Sequence, residues 1–149
     1  MHGVHARTPT VLLAVLAAAV PAAALGAGDD GWHGKTSQGL TADAVVSHSG
    51  ALLDRLKMRY ELTCSDDSTA VRPFLLSRRA GDTVTIDGDG RFASTGTFAG
   101  GLPGKGSGSL TYRVSGRVRA AKLSGLLRVD YALDSGVTCT TKSVAFVLR

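Results

Sequence analysis

The sequence predicts an all-β fold, an antiparallel meander of about eight strands forming a sandwich or a small barrel. Three observations carry that expectation. Apolar and polar residues alternate with a period of two through much of the chain, and helical periodicity is nearly absent. Clusters of Gly, Asp, Ser and Pro punctuate the alternating segments at short intervals. Two cysteines far apart in the chain, Cys64 and Cys139, offer one staple across such a sheet.

The start of the chain stands apart from this pattern. His2, His5 and Arg7 form a weakly basic head, and the apolar run TVLLAVLAAAV follows over 10–20. Pro21 and the small residues Ala22, Ala23 and Ala24 come next. That is the order of a secretory signal, so 1–24 is expected to be a leader cut after Ala24, with 25–31 a flexible linker. The apolar run is short for a hydrocarbon core of roughly 30 Å. A single antiparallel domain is then expected over 32–149. Removing Arg7 from the 17 Lys and Arg leaves sixteen against 12 Asp and Glu, a mildly basic domain suited to anionic surfaces.

The strands follow in order. Trp32-x-Gly34-x-Thr36-x-Gln38 alternates, so Trp32 is expected to plug one end of the sheet and His33 to turn outward. Residues 36–47 continue loosely through Leu40, Ala42 and Ala44. Over 56–64 the alternation is strict. Leu56, Met58, Tyr60, Leu62 and Cys64 share one face, and Lys57, Arg59, Glu61 and Thr63 share the other. Pro73, within 71–77, marks an edge strand or a bulge. Segments 83–86 and 91–98 flank the turn signal DGDG at 87–90. The glycine-rich stretch 99–109 reads as a mobile loop.

Residues 110–133 read as a hairpin about Ala120 and Ala121, pairing Val118 with Leu123, Gly116 with Gly125 and Val114 with Leu127. Ala-Ala is a poor two-residue turn, which argues for a longer connection. Glycine opposite glycine signals a bend or the close approach of another element. Residues 137–148 close the chain, with a bulge expected near Thr141, where the apolar phase shifts.

In an exported chain two cysteines read as a Cys64–Cys139 disulfide. The long loop it closes corresponds to about 4 kcal/mol in the chain-entropy account.

Residues for chemistry are sparse. Beyond the leader the only histidines are His33 and His48, and no nucleophile elbow accompanies them. GGLPGKGS leaves three residues between Gly100 and Gly104-Lys105 and puts Gly106 where a phosphate loop needs Ser or Thr. Asp87 to Arg91 resembles a fragment of a calcium loop, but the only glutamate is the distant Glu61, so a hairpin turn is the better reading. Two histidines and two bridged cysteines are too few for a zinc site. No catalytic residue, metal site or cofactor is assigned. A hydrolase working through two of the eleven scattered aspartates is a minor alternative.

The outward face of the long hairpin is the candidate interaction surface. Arg113, Arg117, Arg119, Lys122 and Arg128 project on one side, with Arg113 directly across from Arg128. Lys57 and Arg59 form a similar stripe. An anionic envelope polymer or a membrane surface would relieve the repulsion. Nucleic acid is not expected, because no exposed aromatics interleave with the charges. A barrel carrying a small apolar ligand is a further alternative and requires an interior of several hundred Å³.

WHGKTSQG at 32–39, TIDGDGRF at 85–92 and the closing VTCTTKSVAFVLR at 137–149 together resemble a recurring group of small exported bacterial proteins of unknown function. Their pattern is an aromatic-x-Gly-x-Thr-x-Gln-Gly start, a Cys, an Asp-Gly-x-Phe turn and a final Cys strand. The resemblance implies an all-β domain with a Cys64–Cys139 bridge, and it transfers no catalytic residue.

Overall fold

A computed structural model describes residues 31–149, so the expected leader and all but the last linker residue lie outside the described residues. The alternating segments form ten strands: β1 (Trp32–Thr36), β2 (Thr41–Val46), β3 (Leu52–Cys64), β4 (Thr69–Ser77), β5 (Val84–Thr85), β6 (Arg91–Leu102), β7 (Gly106–Arg119), β8 (Lys122–Leu133), β9 (Thr138–Thr140) and β10 (Val144–Leu148). One 3₁₀ turn, Arg78–Ala80, follows β4. The count exceeds eight because two expected segments each divide. A turn at Ser37–Leu40 separates β1 from β2, and Thr141–Ser143 separates β9 from β10.

The pairings settle the choice between sandwich and barrel. They run β10–β1–β2–β3–β9–β8, and β8 also pairs with β10, closing a six-stranded antiparallel barrel. The order is not a pure meander, because β9 enters between β3 and β8. Two additions leave the barrel. β4 and β5 pair with β3, while β7 and then β6 continue from β8 as a wing that packs back on β4 where Tyr112 meets Phe74 edge-on.

The closing segment shows how the chain turns the corner. In β9, Thr140 pairs with Asp130; in β10, Val144 pairs with Leu127. The three residues Thr141, Lys142 and Ser143 therefore face only Arg128 and Val129, a one-residue excess at the place the apolar phase shifts. Lys142 absorbs the kink at φ 54°. Thr141 is buried there, and its hydroxyl accepts the Val129 amide at 2.9 Å and donates to the Lys142 carbonyl. The bulge thus leaves no orphan amide at Val129.

The inward phase of every long strand meets in one cluster. Trp32, Leu56, Met58, Tyr60, Leu62, Val114, Leu127, Val129 and Phe146 are all buried within it. Burying each large apolar side chain contributes about 1.5–3 kcal/mol. Trp32 faces Ala44 across β1–β2, so the opening WHGKT is a core strand, and His33 points outward to bond Asp43 at 2.7 Å. The Tyr60 and Tyr131 hydroxyls meet at 3.4 Å inside the core. Burial, helped by that contact, pushes the Tyr60 phenol well above its ordinary range.

Cys64 and Cys139 sit opposite one another on β3 and β9 and are joined by a disulfide, 75 residues apart in sequence. Pro73 lies in β4, which pairs only with β3, so it occupies an edge with no break in register. DGDG forms the expected turn, with the Asp87 carboxylate accepting the amides of Asp89 and Arg91.

Two expectations are corrected. The glycine-rich stretch is not a mobile loop. β6 runs to Leu102 and β7 starts at Gly106, with Gly100 opposite Gly108 and only Pro103, Gly104 and Lys105 in the turn. Leu102 anchors this tip in the core, and Lys105 bonds Asp66 in the β3–β4 turn. The Ala120-Ala121 turn is not lengthened either. Arg119 pairs directly with Lys122, and Ala120 takes φ 45° to permit it. The flanking ladder, twelve residues long on each side, imposes the left-handed turn on an unsuitable residue.

Candidate anion-binding face

The site is built on the wing and on β8. Val114 pairs with Leu127, Gly116 with Gly125 and Val118 with Leu123, the register that the alternation predicts. A one-residue slip would put this apolar set in water. With the register held, Arg113, Arg117, Arg119, Lys122 and Arg128 all lie in the outward phase.

Cross-strand pairing makes this face unusual. Arg113 stands opposite Arg128, and Arg119 opposite Lys122. β6 adds Arg91 directly opposite Arg117, a third like-charged pair. Arg91 was not among the residues singled out from sequence, because it adjoins the DGDG turn and reads there as a turn residue. Its signal was the register of the β6–β7 hairpin, hidden while 99–109 read as a loop.

Few carboxylates answer these cations. The Arg128 Nε donates to Asp130 at 2.8 Å, and Thr140 donates to the same carboxylate at 2.6 Å. Partial burial pushes the Asp130 carboxyl up, but the bonds from Arg128 and Thr140 and the charges of Arg128 and Arg113 outweigh it and hold it below the usual carboxylate range. One aspartate thus serves two arginines. Arg117 donates to the Asp89 carbonyl at 2.9 Å, and Arg91 lies 3.9 Å from the Asp89 carboxylate.

Two open grooves cross the face. One, of about 820 Å³, runs between Arg91 and Arg117 over Ser115, Leu126, Ala145 and Val147, and Asp87 also borders it. Its floor is thin at Gly116 and Gly125, where a Cβ would strike the rings of Phe92 and Phe146; this is the close approach that the glycine pair signalled. The second, of about 550 Å³, lies between Arg113 and Arg128 and shares Ala93, Ser115 and Leu126 with the first. Arg113 and Arg117 are four residues apart on one strand, so the two arginine pairs stand roughly 14 Å apart.

Other expectations fare differently. Lys57 and Arg59 do not join this face: no pairing links β3 to β8 directly, and β9 lies between them on one side of the ring and β2, β1 and β10 on the other. Tyr60, Tyr112 and Tyr131 are buried in the inward phase, as the alternation predicts. Phe98 is exposed, but it lies in the phase opposite the arginines and stacks on Tyr112 with ring centroids 5.7 Å apart.

The barrel interior is filled by Leu, Val, Phe, Met and Tyr side chains, which does not favour a carrier of an apolar ligand. Several of the described aspartates serve turns and ion pairs. Asp82 accepts the Ser77 amide, and Asp66 accepts from Ser68 and Lys105. Bonds from Lys105 and then Ser68 pull the Asp66 carboxyl down to about 2, away from the neutrality a general acid needs. Comparison with protein-family models, with curated proteins and with solved structures finds no match for this chain.

Proposed function

We propose that this chain is an exported, non-enzymatic binding module that docks an anionic polymer of the cell envelope on the β6–β7–β8 face. The observation that carries the reading is the register of like charges: Arg91 against Arg117, Arg113 against Arg128 and Arg119 against Lys122. Like charges directly opposite one another destabilise a sheet. A multivalent anion lying along the grooves turns that repulsion into attraction. Leu126 and Val147 offer apolar contact between the charged rows.

Export rests on the order of charge, apolar run and small residues over 1–24, and the Cys64–Cys139 disulfide is consistent with an oxidising compartment. The motif resemblance to small exported bacterial proteins belongs to the same proposal.

The test is binding of the purified protein to inorganic polyphosphate, followed by titration with sodium chloride. The Debye length shrinks from roughly 30 Å at 0.01 M to 3 Å at 1 M, so binding should weaken steeply across that range. Absent binding, or binding indifferent to salt, ends the proposal.

A further inference from the structure

Among the described residues two long strands, β4 and β6, have an unpaired edge, and they are built differently. β4 carries Arg72 and Pro73 at its middle, a charge and a missing amide of the kind that discourages strand addition. β6, RFASTGTFAGGL, has neither a charge nor a proline after Arg91. It is 12 residues long, far longer than the short edges that proteins use to avoid self-pairing.

The direction of its amides follows from the ladder. The Val118 amide donates to the Gly90 carbonyl, so along the β6–β7 register the even residues of β6 make the hydrogen-bonded pairs. The amides and carbonyls of Ala93, Thr95, Thr97 and Ala99 then point away from β7. Phe98 lies on the same strand with 52% of its surface exposed.

We propose that a second copy of this chain pairs with the β6 edge, β6 against β6 and antiparallel, about a two-fold axis normal to the sheet. The edge suits itself. A pairing centred near Gly96 sets each Arg91 opposite Gly101 of the partner subunit, so no like charges meet. Pairing β6 with the β4 edge would instead meet Arg72 and Pro73. The two-fold axis gives a continuous sheet with both arginine faces on one side. The Arg113 rows of the two copies are then three strand spacings apart, roughly 14 Å, beyond the Debye length of about 8 Å at physiological salt. The pairing does not depend on the anion-binding reading, although it would double that face.

Sedimentation equilibrium over a range of protein concentration tests it. The protein should reach a dimer mass. Ala99→Pro removes one outward amide and leaves the β6–β7 ladder intact; Thr97→Lys brings two ammonium groups close to the axis. Each should raise the dimer dissociation constant by about tenfold or more, with an unchanged circular dichroism spectrum. Val71→Lys, on β4, should leave it unchanged. A wild-type protein that is monomeric at every concentration overturns the proposal. So does a dimer that ignores both β6 variants, or one that responds only to Val71→Lys. Polyphosphate binding by Thr97→Lys, measured separately, keeps a failure here distinct from a failure of the anion-binding reading.

Discussion

β3 and β7 are the two longest strands, 13 and 14 residues, and both turn alternate residues to water. Their wet faces are resolved in different ways. On β3, Lys57 stands opposite Asp43, and Asp54 lies 3.6 Å from Arg78. On β7, Arg113 and Arg117 stand opposite arginines, and Arg119 stands opposite a lysine. Period-two alternation builds both strands equally well. The residue across the ladder decides whether the outward face satisfies itself or remains positive. β3 is barrel wall, and in the proposed function β7 offers its positive face to an anion.

Four experiments break or sharpen that contrast. The largest effect belongs to β3, which the disulfide clamps to β9. Replacing Cys64 and Cys139 together by Ala should cost about 4 kcal/mol in denaturant unfolding. A loss confined to a few tenths would mean that the barrel closes without the clamp.

The next concerns the faces. Arg113→Gln with Arg128→Gln should weaken polyphosphate binding by about tenfold, while Lys57→Gln with Arg59→Gln should leave it unchanged. The two pairs should also move stability in opposite directions in thermal unfolding. Removing Arg113 and Arg128 relieves a repulsion at the cost of the exposed Arg128–Asp130 ion pair, which solvent screening leaves weak, whereas removing Lys57 takes away the cation opposite Asp43, whose carboxylate bonds His33. Equal loss of binding in both variants would make the contrast one of net charge alone.

A smaller effect is expected at the β7–β8 turn. Ala120 is held at φ 45°, so Ala120→Gly should stabilise by about 0.5–1 kcal/mol. No gain would show that the turn is unstrained.

The smallest is local. Lys105 ties the β6–β7 tip to Asp66 beside the end of β3. The Asp66 carboxyl is depressed to about 2, so its contribution is present above the ordinary carboxylate range near pH 4 and is lost as pH falls through about 2. Asp66→Asn should speed hydrogen exchange of the Lys105 amide at neutral pH, and the wild type should approach the variant only as pH falls below about 2. Identical exchange at neutral pH would release the tip from that anchor.

Much of the fold was legible because one face of each strand is buried. The β7–β8 register follows from Val114, Gly116 and Val118 meeting Leu127, Gly125 and Leu123, since any odd slip exposes them all. The one-residue excess at Thr141 was legible as a phase change. The glycine arms of β6 and β7 were not, because glycine carries no alternation. Gly100 and Gly108 are held in strands by their neighbours: a Cβ at Gly108 would strike the Ala132 carbonyl of β8. Arg91 was lost to the candidate face for the same reason, as its partner Arg117 appears only once that hairpin is drawn.

Within this chain, then, sequence alone determined which side chains seek oil and which seek water, the main hairpin register and the cysteine pairing. Those are consequences of local period and of two sulfur atoms having only each other. Closure of β10 on β8, the insertion of β9 between β3 and β8, and the place of Arg91 opposite Arg117 were decided only by the tertiary structure. Each depends on contacts between segments distant in sequence, and no local pattern records which strand will lie beside which.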